Sequence, residues 1–170
     1  AHGRDHVTTA RMGFDKDGKI VGFHVDTIAN IGAYVSLFAT ATPTYLYGTL
    51  WSGTYDIPAI YGTVRAVHTN TVPVDAYRGA GRPEATYMIE RMMETAAREM
   101  GMDPAELRRK NFITEFPYQT QVLLNYDSGD YHTLLDMAQK HAKVDSFAER
   151  KAEAASRGKL RGIGYSTFVE

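Results

Sequence analysis

The chain has no cysteine among its 170 residues. These residues therefore contain no disulfide, no thiolate ligand for a metal and no cysteine nucleophile, and they cannot hold an iron–sulfur cluster through cysteine. A run of about 20 apolar residues, which a membrane-spanning helix needs, is also lacking, and so is the residue order of a signal peptide at the start. We expect a cytoplasmic protein without a membrane partner, with the periplasm as the alternative.

An excess of either charge is lacking too, because 19 basic residues face 20 acidic ones and the formal net charge is −1. No global electrostatic field favours nucleic acid, so we expect no nucleic-acid partner and only local ligand preferences. The hydrophobic content of 44% is enough for one ordinary domain, or for a piece of a larger one. The first and last residues, Ala-His-Gly-Arg and Thr-Phe-Val-Glu, read as the ends of an internal segment of a longer polypeptide.

The pattern predicts an α+β fold in which a hairpin-containing sheet packs against several helices. We treat residues 1–170 as a single segment: 1–75 is mainly strand and loop, 76–157 is mainly helical, and 158–170 returns to strand. Near the start, strands at 6–12 and 19–28 flank an Asp-Lys-Asp-Gly turn, which predicts a β-hairpin. The alternation in the second strand predicts these core residues: Val21, Phe23 and Val25.

The helices are indicated by apolar spacing and by capping residues. Met88, Ile89, Met92, Ala96, Ala97 and Met100 recur at three- and four-residue intervals, with Glu90 outside the stripe as a solvated or paired side chain. Gly101 predicts the end of this helix, and Asp103-Pro-Ala-Glu predicts the start of a short one near 104–110. Further helices are predicted at about 131–141 and from the cap at 145 or 146 to about 156.

Residues 30–56 lose all periodicity and are rich in Gly, Ala, Thr and aromatic side chains. The segment is either a buried connection or the wall of a ligand pocket, since pockets favour aromatic linings. The sequence alone leaves these two interpretations equal. An extended run rich in Tyr, Thr and Val follows at 60–69 and predicts another strand.

A loop leading into a helix, Asp-Ala-Tyr-Arg-Gly-Ala-Gly-Arg-Pro-Glu at 75–84, is the most suggestive stretch. Gly79 and Gly81 let a ligand approach the backbone closely, and Pro83 suits the first turn of a helix. The helix N-terminus and the guanidinium groups of Arg78 and Arg82 favour an anionic ligand. The alternative is a plain connecting turn. The loop matches neither a P-loop nor a dinucleotide-binding fingerprint.

Histidine spacing does not predict a metal site. His2 and His6 are four residues apart, as in a helical metal pair, but the segment reads as strand and no third ligand has a recognised spacing. We therefore expect no metal held by protein side chains. No Ser/His/Asp set and no pair of catalytic carboxylates is indicated either.

Several motifs, in this order, carry a resemblance to a known family. They are Gly-Arg-Asp-His at 3–6, Gly-Phe-Asp-Lys-Asp-Gly-Lys-Ile at 13–20, Tyr-Asp-Ile-Pro at 55–58, Ala-Tyr-Arg-Gly-Ala-Gly-Arg-Pro-Glu-Ala at 76–85 and Gly-Met-Asp-Pro-Ala-Glu-Leu-Arg-Arg-Lys-Asn-Phe-Ile at 101–113. Over essentially its whole length, the chain resembles the large, molybdopterin-binding subunit of the molybdenum hydroxylases. This is the family of xanthine dehydrogenase, aldehyde oxidoreductase and aerobic carbon monoxide dehydrogenase.

The resemblance implies an oxidoreductase that hydroxylates an activated carbon with oxygen from water. Its molybdenum would be held by a pterin cofactor, which we expect in the cytosine dinucleotide form, and not by a protein thiolate. The resemblance also implies that Arg78, Gly79, Ala80 and Gly81 lie next to the cofactor, largely through backbone N–H groups. Partner domains or subunits would carry iron–sulfur clusters and FAD.

Departures from the family's subtypes bear on the substrate. Gly79 stands where carbon monoxide dehydrogenases carry a cysteine that bridges copper, so that activity is disfavoured. Ala80 stands where xanthine-oxidising members have a stacking aromatic residue, and Leu46 where they have a purine-binding arginine. Xanthine is therefore disfavoured as well. Aldehydes or N-heterocycles remain as substrates, with Leu46 and Ala80 as pocket residues.

The family's catalytic glutamate falls outside these residues, so no catalytic residue is assigned and we expect the segment alone to be inactive. Glu84 reads as a first-turn helix residue, and neither it nor Glu90 reads as the base. Two hypotheses stay open: an active part of a molybdenum hydroxylase, and a non-catalytic scaffold or anion-binding module that keeps the family fold.

Overall fold

The computed structural model describes residues 3–169 and has an α+β architecture, as expected. In chain order its elements are β1 (His6–Phe14), β2 (Ile20–Gly32), a π-helical turn (Thr42–Leu46), β3 (Ile60–His68), α1 (Arg82–Met100), α2 (Pro104–Asn111), β4 (Tyr118–Gln119), β5 (Asn125–Tyr126), α3 (Tyr131–Ala142), a 3₁₀ turn (Val144–Ser146) and α4 (Phe147–Ser156). Within residues 3–169, no helix has the length and apolar character to cross a membrane.

The predicted hairpin is present, with β1 antiparallel to β2. Its turn is fixed by Asp15, whose Oδ1 accepts hydrogen bonds from the N–H groups of Asp17 and Lys19, each at 2.9 Å. Gly18 completes the turn with a φ of +85°, a value that glycine adopts without strain. The local signals predicted this turn, and the buried Asn111 of α2 also holds it: its Oδ1 accepts from the N–H of Ile20 at 2.9 Å and its Nδ2 donates to the Gly18 carbonyl at 2.8 Å.

One predicted core residue of the hairpin is wrong. Phe23 and Val25 are buried, but Val21 is 53% exposed. Gly13 pairs with Gly22 whereas Phe14 pairs with Ile20, so Val21 is the extra residue of a β-bulge. The bulge reverses the alternation, and Ile20 occupies the core instead.

The third strand, β3, lies parallel to β2 and gives a three-stranded sheet in the order β1-β2-β3. A parallel neighbour requires a long crossover, and residues 33–59 supply it. In this crossover Tyr47 and Trp51 are buried and pack edge to face, with ring centroids 5.4 Å apart. Tyr34 and Tyr45 are exposed, so only the later part of the crossover is a buried connection.

Helix α1 covers the sheet and forms the centre of the core. Of the predicted stripe, Met88, Ile89 and Ala97 are buried, Met92 and Ala96 are partly buried, and Met100 is exposed. Met93 is fully buried although the stripe did not include it. The helix ends at Gly101, whose φ is +64°, as predicted.

Glu90 is paired, as one interpretation allowed, but it is buried and not on the outer face. Its Oε2 accepts from Nε and Nη2 of the fully buried Arg108, each at 3.0 Å. Its Oε1 accepts from the Tyr55 hydroxyl and, at 3.1 Å, from Thr167. Burial raises the pKa of Tyr55 above its ordinary value, and the charge of Glu90 raises it further, so this phenol stays protonated and donates.

The remaining helices agree with their capping signals. Asp103 Oδ1 accepts from the N–H groups of Ala105 and Glu106 at the start of α2, and Asp130 Oδ1 accepts from the N–H of Thr133 at the start of α3. Ser146 directly precedes α4, as predicted, but its side chain makes no capping hydrogen bond to the helix.

The strand predicted for 158–170 is not formed in the described part, which ends at residue 169. No described strand pairs with this tail, which is held mainly by side chains. Thr167 contacts the hydroxyls of Thr54 and Tyr55 at 2.9 and 3.0 Å, and Arg108 donates to the Tyr165 carbonyl at 3.3 Å. The tail is therefore held by hydrogen bonds to the crossover and to Arg108 of α2, and not by a strand ladder.

We predict that Arg108→Ala lowers the free energy of unfolding by about 3–5 kcal/mol, because it leaves the buried Glu90 carboxylate without its cation. Urea unfolding followed by the fluorescence of Trp51, the single Trp of the chain, measures this. The matched control is Arg157→Ala, which breaks the exposed pair with Glu153 and should cost no more than about 0.5 kcal/mol. Equal losses in the two variants would contradict the prediction.

Candidate functional site

The loop between β3 and α1 is fixed at its start by Asp75. One oxygen of this carboxylate accepts from the Ser36 hydroxyl and the other from the N–H of Ala76, both at 2.7 Å. The hydrogen bond from Ser36, with help from that of Ala76, holds the pKa of Asp75 below its ordinary value. Asp75 therefore stays charged and ties the loop to the crossover.

The turn of the loop contains three successive residues with positive φ: Gly79 at +94°, Ala80 at +29° and Gly81 at +95°. A Cβ at Gly79 would lie 2.8 Å from a ring carbon of Pro83. A Cβ at Gly81 would lie 2.5 Å from the carbonyl carbon of Leu46. Both positions therefore require glycine, for conformation and for space.

The backbone N–H groups of the loop divide into two sets. Those of Ala80 and Gly81 are used internally, by the carbonyl of Tyr77 at 2.8 Å and by Oε2 of Glu84 at 3.1 Å. Those of Arg78 and Gly79 have no hydrogen-bond partner within residues 3–169. Of the four predicted cofactor-binding residues, these two therefore offer backbone donors to a ligand.

Glu84 is the first-turn helix residue that the sequence indicated. By accepting from Gly81 it caps α1, and it occupies one of the donors that a helix N-terminus leaves unpaired. The exposed Arg78 guanidinium has no partner among the described residues. The buried Nε of Arg82 also lacks one. Positive charge at the loop is thus available to an anion or to ligand oxygens.

The structure brings the two predicted pocket residues, Leu46 and Ala80, to neighbouring places. Gly81 packs directly on the backbone of Leu46 and Tyr47, and Ala80 precedes it in the chain. Leu46 and Ala80 are both half-buried. Their roles toward a substrate stay predictions.

A residue that sequence reasoning missed is Arg4. Its Nη2 donates to the carbonyl of Arg78 at 2.5 Å, its Nε lies 3.6 Å from Oε1 of Glu84, and its guanidinium lies over the ring of Tyr77, 5.0 Å from the centroid. The contact joins residues 74 positions apart, and no local pattern signals it.

A cavity of about 620 Å³ lies between β1 and α1, next to this arginine. Its walls include Arg4, His6, Tyr47, Glu84 and Arg91. Tyr47 therefore belongs both to the core and to a cavity wall, and the interpretation of residues 30–56 as the wall of a ligand pocket stays a prediction. A second cavity, of about 420 Å³, between α3 and the tail is mostly apolar and shares no residue with the loop.

His6 is the titratable group of the larger cavity whose pKa is perturbed. Burial lowers the pKa of His6 below its ordinary value of 6.5, although the negative charges of Glu84 and Asp5 oppose this. Its ring packs edge-on against Tyr47, with centroids 4.9 Å apart.

Within residues 3–169, no group of three or more His, Cys, Asp or Glu side chains is arranged to hold a metal ion. His2 lies outside the described residues, so its spacing from His6 is not tested. The loop can offer N–H and guanidinium donors to oxygen or nitrogen atoms of a ligand. A metal at this place would need ligands from another source.

One family model matches this chain over the residues that form the sheet and the loop. Residues 1–112 match the family described as "Molybdopterin cofactor-binding domain", which spans the sheet, the crossover and the whole loop. The chain therefore belongs to the molybdopterin cofactor-binding domain family.

Individual relatives agree with this assignment. The carbon monoxide dehydrogenase large chain of Hydrogenophaga pseudoflava is 42% identical over 182 residues, covering 100% of this chain and 22% of that protein. The nicotine 6-hydroxylase large subunit of Paenarthrobacter nicotinovorans is 32% identical, covering 100% of this chain and 21% of that subunit. Quinoline 2-oxidoreductase from Pseudomonas putida 86 superposes with a TM-score of 0.85 and 28% identity, covering 92% of this chain and 20% of that one. The chain thus spans about a fifth of the length of these relatives.

We predict that Gly81→Ala lowers the free energy of unfolding by about 3 kcal/mol or more, because it adds a collision with Leu46 to an unfavourable φ. Gly101→Ala is the matched control, since it also has positive φ but meets no atom within 4 Å, and it should cost about 1–2 kcal/mol. Denaturant unfolding of both variants measures the difference. If the two variants lost similar unfolding free energies, the backbone of Leu46 would move aside at little cost, and the prediction would be wrong.

We predict that His6 stabilises the fold less as the pH falls below 6.5. Its pKa is lower in the folded than in the unfolded state, so the unfolded state binds more protons in this range. The difference in unfolding free energy between wild type and His6→Gln should shrink between about pH 7 and pH 5. His141→Gln, at an exposed histidine, is the control. A difference that does not change with pH would contradict the assignment.

Proposed function

We propose that the chain is the loop-bearing part of the molybdopterin-binding large subunit of an oxidoreductase. The enzyme would hydroxylate an aldehyde or an N-heterocycle with oxygen from water. The observation that carries the proposal, in a chain of this family, is the Arg78–Gly79 backbone, whose N–H donors have no partner within residues 3–169. Gly79 in addition has no room for a larger side chain. When bound, the molybdenum cofactor supplies the redox chemistry that removes electrons from the substrate carbon.

The loop residues have distinct roles in this proposal. The N–H groups of Arg78 and Gly79 donate to cofactor or substrate oxygens, and they are held by the loop before the ligand arrives. Such preorganised donors stabilise charge that develops in the transition state. Gly79 and Gly81 let the backbone come close to the cofactor or substrate, and the Arg78 guanidinium adds positive charge beside it. Ala80 and Leu46 form part of the substrate wall.

The substrate class follows from the size and polarity of that wall. Ala80 leaves room for a bulky ring, and Leu46 offers an apolar surface without a charged hydrogen-bonding group. Both features support a flat aromatic N-heterocycle or an aldehyde, and they disfavour xanthine. Nicotine and quinoline, in the names of two relatives, belong to the first class.

Carbon monoxide is the second candidate substrate, because a carbon monoxide dehydrogenase large chain is 42% identical to this chain. One similar solved structure is described as a Cu,Mo-CO dehydrogenase. Copper(I) prefers soft sulfur ligands such as thiolate. This chain has no cysteine, and Gly79 stands in the loop. A copper-dependent carbon monoxide oxidase of that type is therefore disfavoured.

The proposed redox reaction implies partner groups that accept electrons. The electrons must leave the molybdenum, so we propose iron–sulfur clusters and FAD on partner domains or subunits. The remainder of the large subunit would supply the catalytic glutamate. We also propose the cytosine dinucleotide form of the cofactor, and a cytoplasmic location with the periplasm as the alternative. We propose no nucleic-acid or membrane partner.

We predict near-stoichiometric molybdenum and pterin, and little copper, in the natively purified full-length protein, measured by elemental mass spectrometry and pterin fluorescence. Arg78→Ala should lower kcat/KM toward an aldehyde or a quinoline-type substrate by about 100-fold, because one positioned charge is lost. Arg161→Ala, at an exposed arginine of the tail, is the control.

Protein without molybdenum and pterin would contradict the proposal and favour the non-catalytic scaffold. Stoichiometric copper together with carbon monoxide oxidation would favour the second candidate instead.

A further inference from the structure

We propose that Arg4 is a positioning residue that fixes the orientation of the Arg78–Gly79 peptide. The inference rests on the proposed function, because it concerns the same loop. Its starting point is the contact of the Arg4 guanidinium with three parts of the loop region. These are the Arg78 carbonyl at 2.5 Å, the Glu84 carboxylate at 3.6 Å and the Tyr77 ring at 5.0 Å.

The first step is the geometry of a peptide unit. The carbonyl of Arg78 and the N–H of Gly79 belong to one planar trans peptide, so they point in opposite directions. Arg4 donates to that carbonyl. It therefore holds the Gly79 N–H on the side away from Arg4, where this donor stays free of internal partners among the described residues. The bond also polarises the peptide and strengthens the N–H as a donor.

The second step is that this peptide would otherwise rotate easily. Glycine accepts positive and negative φ almost equally, so a peptide followed by Gly79 can turn over at low cost. A rotated peptide would present the Arg78 carbonyl where the N–H now lies. An oxygen would then face the oxygens of the ligand and repel them. The guanidinium of Arg4 opposes this rotation.

The third step is that one carboxylate links Arg4 to the other end of the loop. Glu84 accepts from the Gly81 N–H through Oε2, while its Oε1 faces Nε of Arg4. Arg4 thus contacts the loop before and after its three residues of positive φ. It hydrogen-bonds the loop before the turn and forms a longer ion pair, at 3.6 Å, after it.

Arg4 is itself held in place from the other side. Its φ is +56°, which is unfavourable for a residue with a side chain and persists only where the surroundings fix it. The next residue, Asp5, bonds Asn30 of β2 twice: its carbonyl accepts from the backbone N–H at 3.0 Å and its Oδ2 from Nδ2 at 2.7 Å. These bonds therefore hold the backbone before β1 in the position from which the Arg4 side chain reaches the loop.

The test compares Arg4→Ala and Arg4→Lys in the full-length holoprotein, with Arg11→Ala as the control. Arg11 is an exposed arginine of β1, the strand that follows Arg4, and it does not line the cavity. The readouts are molybdenum content, kcat and KM, the Mo(V) electron paramagnetic resonance signal, the melting temperature, and the rate of tryptic cleavage at the Arg78–Gly79 bond.

Arg4→Ala should lower kcat per bound molybdenum about 10-fold with a smaller change in KM, alter the Mo(V) signal, and speed cleavage after Arg78 several-fold. Arg4→Lys should restore part of kcat, since it keeps one donor and the charge but not the planar fork. Arg11→Ala should leave every readout unchanged.

Molybdenum-loaded Arg4→Ala with wild-type kcat, signal and cleavage rate would overturn the role of Arg4 alone. So would a loss of kcat explained entirely by a lower melting temperature. Wild-type protein without molybdenum would overturn the proposed function, and this inference with it.

Discussion

The packing of Gly81 against the backbone of Leu46 and Tyr47 is the contact on which the arrangement of this chain depends. No side chain fits there, because even a Cβ would lie 2.5 Å from a backbone carbon. The contact fixes where α1 begins relative to the crossover from β2 to β3. Tyr47 in turn packs on Trp51 and contacts the hydroxyl of Thr27 in the sheet. Gly81 therefore joins the start of α1 to the crossover, and Tyr47 joins the crossover to the sheet. These contacts hold the loop that precedes Gly81.

A second constraint acts at the other face of α1. The Glu90–Arg108 pair is buried, so its charges need partners within the fold. The Glu90 carboxylate accepts hydrogen bonds from Tyr55, Arg108 and Thr167. This cluster orients α2 and the tail against α1. The loop lies at the N-terminus of the helix, and the ionic cluster lies two turns further along. Under the proposed function, ligand contact and this buried ion pair would lie on different parts of the same helix.

Sequence reasoning succeeded where the determinants are local. Asp15 and Gly18 make the hairpin turn, Asp103 caps α2, and Gly101 ends α1, each through contacts within a few residues. It failed where partners are distant in the chain. The bulge at Val21 depends on how β1 pairs, and Thr167 in the tail is held by groups more than 70 residues away. The loop was singled out from its glycines and arginines, and its role toward a cofactor stays a prediction; Arg4, which contacts it, was missed.

The proposed contacts of the loop fall into two kinds, backbone contacts to the cofactor and side-chain contacts to the substrate. This difference bears on how one fold can serve several reactions. Under the proposed function, the cofactor is contacted through backbone N–H groups, which do not change when side chains are substituted. The substrate is contacted through the side chains of Ala80 and Leu46, which can change without moving the backbone, provided that Gly79 and Gly81 remain. Cofactor binding and substrate choice are then set by different atoms of the same few residues. Under the same proposal, one fold can serve substrates as different as those in the names of the nicotine and quinoline relatives, because a change of side chain would alter the pocket and leave the backbone donors in place.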